Sequence, residues 1–399
     1  MNQLGSKGGV IMKVNVNVSK ETLGWIMANI NFDALSSQIA GRLMSWYSGE
    51  KVPTFNQIEE ASRATGIPLG YFFLSTPPKE DRTLLEYRTV DSLELEKPSR
   101  NLLDTIHDME QIQEWAKNQM VADGFSELEF VGSMAEVNEV GVFVTQIRQV
   151  LDLPRDWFTS SKTPADSFRS LRSKISDAGV IVMMNGIVGN NTHRPLEINE
   201  FRAFAIADEY APLIFINSND STNGKLFSLL HEFAHILIGK NNFFNDRYSA
   251  HGRVNQIETI CNAAAAEILV PSDLFMEKWN EVISENDIKT TIFTLAKYFK
   301  CGITVIARKA LDHGYIMSQE YTQISQLAVY LYNEQRKKAK ENPGGDYYRT
   351  AASRIDQRFF RMLAGSVAEG KTLYSDAFRL TNTNRATFRE LAQQAGGGF

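Results

Sequence analysis

The chain is poor in cysteine, with only Cys261 and Cys301 among its 399 residues. Two cysteines cannot build the disulfide framework of a small secreted protein, and a reducing cytoplasm is the simplest setting for them. No apolar run reaches the roughly 20 residues that a membrane-spanning helix needs. The N-terminal residues lack a charged stretch followed by a continuous apolar one, which argues against a secretory signal. We therefore expect a cytoplasmic protein that does not contact a membrane.

An excess of positive charge is lacking over most of the chain, and it is found only towards the C-terminus. Residues 336–399 hold 12 Lys+Arg and 6 Asp+Glu, a balance of +6. The other 335 residues hold 30 and 41, a balance of −11. Such a basic segment is able to contact nucleic acid or an acidic partner. Because its charges are interleaved rather than clustered, a solvated helix surface is the favoured interpretation.

Histidine is rare as well, and two of the six histidines lie in the run His231-Glu232-Phe233-Ala234-His235. The surrounding apolar residues recur at helical spacing. Residues four apart share one face of a helix, so His231 and His235 can direct both imidazoles at one metal ion. Glu232 lies beside that ion without having to bind it, as a general base should.

A third ligand is needed, and the best candidates lie on a second predicted helix that ends at Pro271. Its two carboxylates, Glu258 and Glu267, are nine residues apart and therefore half a turn out of phase, so only one can face the metal. We favour Glu258, because Asn262 shares its face and can hydrogen-bond a ligand from there. Glu267 is then solvent-facing or structural; weaker alternatives for the ligand are Asp246 and His251.

The HEFAH motif followed by the ExxCNAAAAEILVP helix resembles the ImmA/IrrE family of metallopeptidases. The resemblance is strongest over residues 179–271 and implies a gluzincin-like site, with His231, His235 and Glu258 as ligands and Glu232 as base. The chain differs from the family pattern at Cys261, where Ala is usual, and at Ala264, where an aromatic residue is usual. Two imidazoles and a carboxylate suit zinc, with manganese as the alternative metal.

The N-terminal region is similar to another known module. Three helices are predicted at 20–30, 35–47 and 55–65, after a short strand at 14–18. The Trp46-to-Pro53 turn and the ending Gly66-Ile67-Pro68 with Tyr71-Phe72-Phe73 resemble the second half of an Xre/Cro-type helix-turn-helix domain. Residues 20–74 hold four basic and five acidic side chains. Because phosphate binding needs a positive excess, DNA binding by this region is possible but not favoured.

The residue pattern before the HEFAH motif predicts a small sheet. Apolar runs at 179–184, 201–206 and 213–217 read as strands, with a polar loop at 186–195 between the first two. In zinc peptidases such a sheet offers an edge on which an extended substrate can lie as an added strand. The donor that would stabilise the oxyanion is not identified by the sequence; the candidates are Tyr248, His251 and His193.

The predicted fold class is α+β: mainly helical, with a zincin-like peptidase core flanked by helical domains at both ends. The expected divisions are a flexible N-terminus and short strand (1–18), a degenerate helix-turn-helix-like domain (19–78), a linker and helical segment (79–165), the peptidase domain (166–318) and a C-terminal helical domain (319–399).

The resemblance implies a zinc-dependent endopeptidase that cuts a protein, often a helix-turn-helix repressor or an antitoxin. Cleavage would control a mobile element, a stress response or a toxin–antitoxin system. Two alternatives stay open: a DNA-binding transcriptional regulator that uses the peptidase fold as a sensor, and a toxin–antitoxin interaction protein that does not cut.

Overall fold

The computed structural model describes residues 15–30, 32, 35–78, 98–239, 242–244, 256–341 and 346–394. Helices dominate these ranges and the strands are few and short, so the fold is α+β and mainly helical, as predicted. The helices are α1 Lys20–Ala28, α2 Ser37–Tyr47, α3 Phe55–Thr65, α4 Arg100–Ala122, α5 Val140–Val150, α6 Pro164–Asp177, α7 Thr222–Ile238, α8 Gln256–Leu269, α9 Ser272–Ile283, α10 Ile288–Phe299, α11 Ile303–Asp312, α12 Ser318–Glu341, α13 Tyr347–Arg354, α14 Gln357–Ala368, α15 Tyr374–Thr381 and α16 Arg385–Gln394.

Six strands form two sheets in the described part of the chain. The larger sheet has the order β1-β5-β4-β6, in which β1 runs parallel to β5 while β4 runs antiparallel to β5 and β6. The smaller is an antiparallel pair of β2 and β3. The strands are β1 Ile181–Asn185, β2 Ile187–Val188, β3 Asn191–Pro195, β4 Ala203–Ile206, β5 Leu213–Asn217 and β6 Asn242–Phe244.

The larger sheet is covered on both faces. Successive side chains of a strand point to opposite faces, and here alternate residues enter two different apolar cores. Ile214 and Ile216 of β5 join the core around α7, α8 and the helices that follow them. Leu213 and Phe215 of the same strand join the core formed with α4 and α14 to α16. Burial on both faces explains why these strands read as continuous apolar runs.

The N-terminal helices have an apolar core of their own, which includes Leu23, Leu43, Ile58 and Phe72. Thr54 begins α3 with a reciprocal capping box to Gln57. The strand predicted at 14–18 is reduced, within its described part, to one isolated bridge between Asn15 and Thr54. The short strand expected at 14–18 is therefore wrong for residues 15–18, where the structure describes this single bridge and no regular strand.

The C-terminal helices are attached to the sheet at the outer edge of β1. Asp356, at the start of α14, accepts a hydrogen bond from the Val182 backbone N–H at 3.2 Å, and its other oxygen accepts one from Phe359 at 2.9 Å. Arg172 of α6 donates to the Val182 carbonyl at 2.7 Å and to the Ser353 carbonyl at 2.6 Å. Side chains thus occupy both backbone groups that Val182 directs away from the sheet.

One predicted loop is a hairpin. The polar run at 186–195 contains β2 and β3, and its pairing is irregular between Ile187 and Val188. The Asn185 side chain holds the turn, donating to the Gly189 carbonyl at 2.8 Å and accepting from Gly186 N–H at 2.9 Å. The loop prediction failed because β3 is largely exposed and lacks the alternating apolar residues that signal a strand.

No single helix in the described ranges is long and apolar enough to span a membrane. Helices α8 and α9 pass that test of length and composition only as a pair, and they are bent by 54° relative to each other.

Candidate metal centre

The HEFAH motif lies on α7, which is buried on all sides from Leu229 onward. Ser221 begins the helix by accepting a hydrogen bond from Gly224 N–H at 2.9 Å. A Cβ on Gly224 would lie within 2.6 Å of the Asp220 carboxyl, so glycine allows this tight entry from β5. The helix ends at Gly239, whose φ of 78° lies in the left-handed region that glycine favours.

Helix α8 packs directly against α7. Ala264 and Ala265 are fully buried, and small side chains at these positions let the two helix backbones approach closely. Glu258 lies in the first turn of α8 and is half-buried. The alanine run therefore brings this carboxylate to the histidine face of α7.

Three ligand-type side chains converge between the two helices. The Nε2 atoms of His231 and His235 lie 3.1 Å apart. One Glu258 oxygen lies 3.3 Å from His231 Nε2, and the other lies 3.3 Å from His235 Nε2. These three residues are the ones that could share one metal ion within the described ranges, with their ligand atoms within 4.8 Å of one another.

This donor set fits a zinc ion. Protein ligands lie about 2.1 Å from zinc in a tetrahedral site, so neighbouring ligand atoms should be about 3.4 Å apart. The observed separations of 3.1 and 3.3 Å are close to that edge length. Two imidazoles and one carboxylate also leave a fourth tetrahedral position for water or substrate, as a catalytic zinc site requires.

The charges around the site favour a cation. Glu232 is fully buried, and neither of its oxygens accepts a hydrogen bond from any residue that the structure describes. Burial, together with the charge of Glu258, raises the pKa of Glu232 well above its ordinary value. Burial also lowers the pKa of His235, against the opposing hydrogen bond to Glu258, and so favours the neutral imidazole that binds metals. A divalent cation held here would favour the ionised form of both carboxyl groups, Glu232 and Glu258, and would bind the neutral His235 imidazole.

The pKa of Glu258 is set by competing effects. Burial raises it, but hydrogen bonds to His231 and His235 outweigh burial, so the pKa lies below its ordinary range. Glu258 is therefore ionised, the form in which a carboxylate binds metal.

Other residues singled out by the sequence have different surroundings. Glu267 accepts hydrogen bonds from both the backbone and hydroxyl groups of Ser272, at 2.8 and 2.6 Å, and pairs with Lys309, so it has the structural role that the sequence offered for it. Asn262 is half-buried and makes no hydrogen bond with its side chain within the described part, so its supporting role stays a prediction. His193 is exposed on β3. Asp246, Tyr248 and His251 lie outside the described residues.

Phe227 is a site residue that the sequence analysis missed. Its ring stacks on the His231 ring with centroids 6.2 Å apart and an angle of 29° between the planes. Because Phe227 precedes His231 by four residues on the same helix, its position could have been inferred from the spacing. The contact restricts the rotation of the His231 ring.

Comparison with known proteins identifies two segments. Residues 355–394 match the model of a domain of unknown function. Residues 189–311 match a peptidase family model described as the IrrE N-terminal-like domain, a range that contains both α7 and α8. No curated protein and no solved structure matches the chain. The segment with the candidate metal centre is therefore similar to a metallopeptidase domain, and this match supports the ImmA/IrrE family to which the HEFAH motif points.

Proposed function

We propose that the protein is a zinc-dependent endopeptidase, with His231, His235 and Glu258 as metal ligands and Glu232 as general base. The observation that carries the proposal is the convergence of two imidazole nitrogens 3.1 Å apart with the Glu258 carboxylate, each oxygen of which lies 3.3 Å from one of the nitrogens, beside a buried carboxyl group that has no partner among the described residues. A buried Glu with free oxygens is costly to fold, and a proton-transfer role next to the metal accounts for its presence.

The chemistry divides between metal and protein. A zinc ion held by His231, His235 and Glu258 would supply Lewis acidity, which would polarise a peptide carbonyl and lower the pKa of a water molecule towards neutrality. Glu232 accepts a proton from that water as the water oxygen attacks the carbonyl carbon. Glu232 then delivers the proton to the amide nitrogen as the C–N bond breaks, so that a carboxylic acid and an amine leave.

The substrate is proposed to be a protein: a helix-turn-helix repressor or an antitoxin, whose cleavage would control a mobile element, a stress response or a toxin–antitoxin system. This proposal rests on the similarity of residues 189–311 to the IrrE N-terminal-like domain. An extended substrate could pair with a terminal strand of the larger sheet. The β1 edge is occupied at Val182 by Asp356 and Arg172, which favours the β6 side.

The N-terminal helices are proposed to bind protein rather than DNA. Arg42 is paired with Glu60, and Arg63 is paired with Glu59. Two of the few cations in this region are thereby engaged by acidic side chains, which would oppose phosphate binding. We propose a cytoplasmic location, since both cysteines are free and buried.

Metal analysis of matched variants tests the metal site. We expect about one zinc per wild-type chain by elemental analysis, with loss of the metal in His231→Ala and Glu258→Gln. Glu267→Gln is the control, because it makes the same isosteric change on the same helix away from the three proposed ligands. Wild-type protein that takes up no zinc on resupply, or equal metal loss in the control, would refute the assignment.

A separate experiment tests catalysis. Glu232→Gln should keep its zinc yet lose about 10²- to 10⁴-fold of its cleavage rate, the usual contribution of a general base. The probe is a purified helix-turn-helix repressor, which is incubated with the full-length protein and analysed for cleavage by mass spectrometry. Full cleavage by the Gln variant would exclude Glu232 as the base and leave the metal assignment standing.

A further inference from the structure

The last three helices form a compact unit with a helix–turn–helix arrangement. The turn between α15 and α16 is only three residues long, and Asn382 adopts the left-handed conformation there, with φ 50° and ψ 40°. Asn384 then begins α16 by accepting a hydrogen bond from Thr387 N–H at 2.9 Å. Helices joined by a three- to four-residue turn of this kind are the framework of many DNA-binding units.

Aromatic packing fixes the three helices relative to one another. The Phe388 ring of α16 meets Phe378 of α15 edge-on, with centroids 5.6 Å apart, and meets Phe360 of α14 at 5.2 Å. Ala377, in the middle of α15, is fully buried. The unit thus holds α16 on a rigid support, as a DNA-recognition helix requires.

The outer face of α16 is polar and basic. Arg385, Arg389 and Gln393 are exposed and four residues apart, so they form one stripe along the helix. The opposite side of the helix is buried through Thr387 and Leu391. Within the described part of the chain, neither arginine has an ion pair or a hydrogen bond. Both guanidinium groups are therefore available to an external partner.

We propose that α16 enters the major groove of duplex DNA and that Arg385 and Arg389 contact it directly. The groove of B-form DNA is about 12 Å wide and admits an α-helix, which is about 10–12 Å across. Arginine pairs with guanine and glutamine with adenine on base edges in that groove. The major groove of A-form RNA is too narrow for side chains to read, so duplex RNA does not fit this helix.

Other side chains near the Arg385–Arg389 stripe are able to bind the phosphate groups of DNA. Arg385 and Arg389 border a groove between α15 and α16 that also includes Tyr374. The Tyr374 side chain is 51% exposed and offers a hydroxyl donor, which phosphate oxygens accept. Residues 371–394 hold four basic and two acidic side chains, a balance of +2, whereas the whole chain has a charge of −5. Charge complementarity therefore favours DNA at this end of the chain.

The site is distinct from the metal centre. Helices α14 to α16 contribute to the core on one face of the sheet, and α7 and α8 contribute to the core on the other. DNA binding through α16 thus goes beyond the proposed peptidase activity and does not depend on it.

Fluorescence anisotropy with the full-length chain tests the proposal. The probe is a fluorescein-labelled 24-base-pair DNA duplex of mixed sequence, titrated between 50 and 200 mM KCl. About four phosphate contacts would weaken binding roughly tenfold for each doubling of salt. Arg385→Ala/Arg389→Ala should weaken binding at least tenfold and flatten the salt dependence, with an unchanged unfolding temperature.

Two controls sharpen the result. Arg336→Ala/Lys338→Ala removes two exposed cations from α12, outside the three-helix unit, and should change the affinity less than twofold. His231→Ala should bind DNA as the wild type does, which separates this test from that of the metal centre. The proposal is overturned if the wild type does not bind the duplex at 50 mM KCl, if the α12 variant loses as much affinity, or if an RNA duplex binds equally well. Failure to bind would leave the α16 face to a protein partner or to solvent; equal loss in the α12 variant would mean that binding depends on general charge, and equal binding of RNA would exclude entry of α16 into the major groove.

Discussion

Asp356→Ala should destabilise the protein far more than an ordinary helix-cap substitution, because this carboxylate serves a helix and a sheet at once. One oxygen accepts from Phe359 N–H in the first turn of α14, and the other accepts from Val182 N–H on β1. The side chain is only 2% exposed, so water cannot replace these bonds. The substitution removes the cap and leaves a buried backbone donor without its acceptor.

The two losses can be given magnitudes. Replacing a capping Asp by Ala costs about 1 kcal/mol. Leaving a buried N–H unsatisfied costs about 1–3 kcal/mol more. We therefore expect the free energy of unfolding to fall by about 2–4 kcal/mol. Asp346→Ala is the matched control, since Asp346 caps α13 through two backbone N–H groups but is exposed and touches no strand, and it should cost only about 1 kcal/mol.

Urea unfolding followed by circular dichroism gives the comparison, and hydrogen exchange locates the effect. Amide exchange in residues 181–185 should accelerate in the Asp356 variant and stay unchanged in the Asp346 variant. If the two variants were equally stable, or if exchange in β1 were unaltered, the hydrogen bond to Val182 would contribute nothing and the reasoning would be refuted.

Three further outcomes follow from the structure. Gly239→Ala should lower the free energy of unfolding by more than about 2 kcal/mol, because φ is +78° and the new Cβ would lie 2.8 Å from a backbone Cα. Gly314→Ala is the control, since φ is +71° but the space around it is open, and it should lower the free energy of unfolding by about 1 kcal/mol in thermal melts. Burial raises the pKa of both Cys261 and Cys301, so neither thiol should react with a thiol-specific chromogenic disulfide until the chain is unfolded; reaction of the native protein at pH 8 would contradict their burial. Zinc at about 100 times its dissociation constant should stabilise the wild type by about 2.7 kcal/mol and leave His231→Ala unchanged, and an equal thermal shift in both would place the binding elsewhere.

The candidate metal centre could be predicted from the sequence because short-range spacing determines most of its geometry. His231, Glu232 and His235 lie within one helical turn and a half, and helical phase separated Glu258 from Glu267 on α8. The structure brings Glu258 to the two histidines. It places Glu267 with Lys309, 42 residues further along the chain, a partner that no local pattern indicates.

Other features depend on contacts between distant segments and could not be predicted. The attachment of α14 to β1 joins Asp356 to Val182 across 174 residues. Asp356 reads locally as an ordinary capping residue, and nothing in its neighbours identifies a strand partner. The hairpin at 187–195 was missed for a different reason: its pairing is held by backbone groups and by Asn185, while its exposed side chains carry no apolar alternation.

The sheet with two buried faces limits how the chain can be shortened. Phe204 and Phe215 stack at 5.1 Å on the face covered by α4 and the C-terminal helices. A chain ended at residue 318 would retain α7, α8 and α4 but would lose the cover that the C-terminal helices give to this face, and each large apolar side chain left exposed would forfeit up to about 1.5–3 kcal/mol of burial. A truncated peptidase fragment should therefore aggregate rather than fold on its own. Production of an isolated peptidase-like segment from this protein would require the C-terminal helices to be kept or the exposed phenylalanines to be replaced.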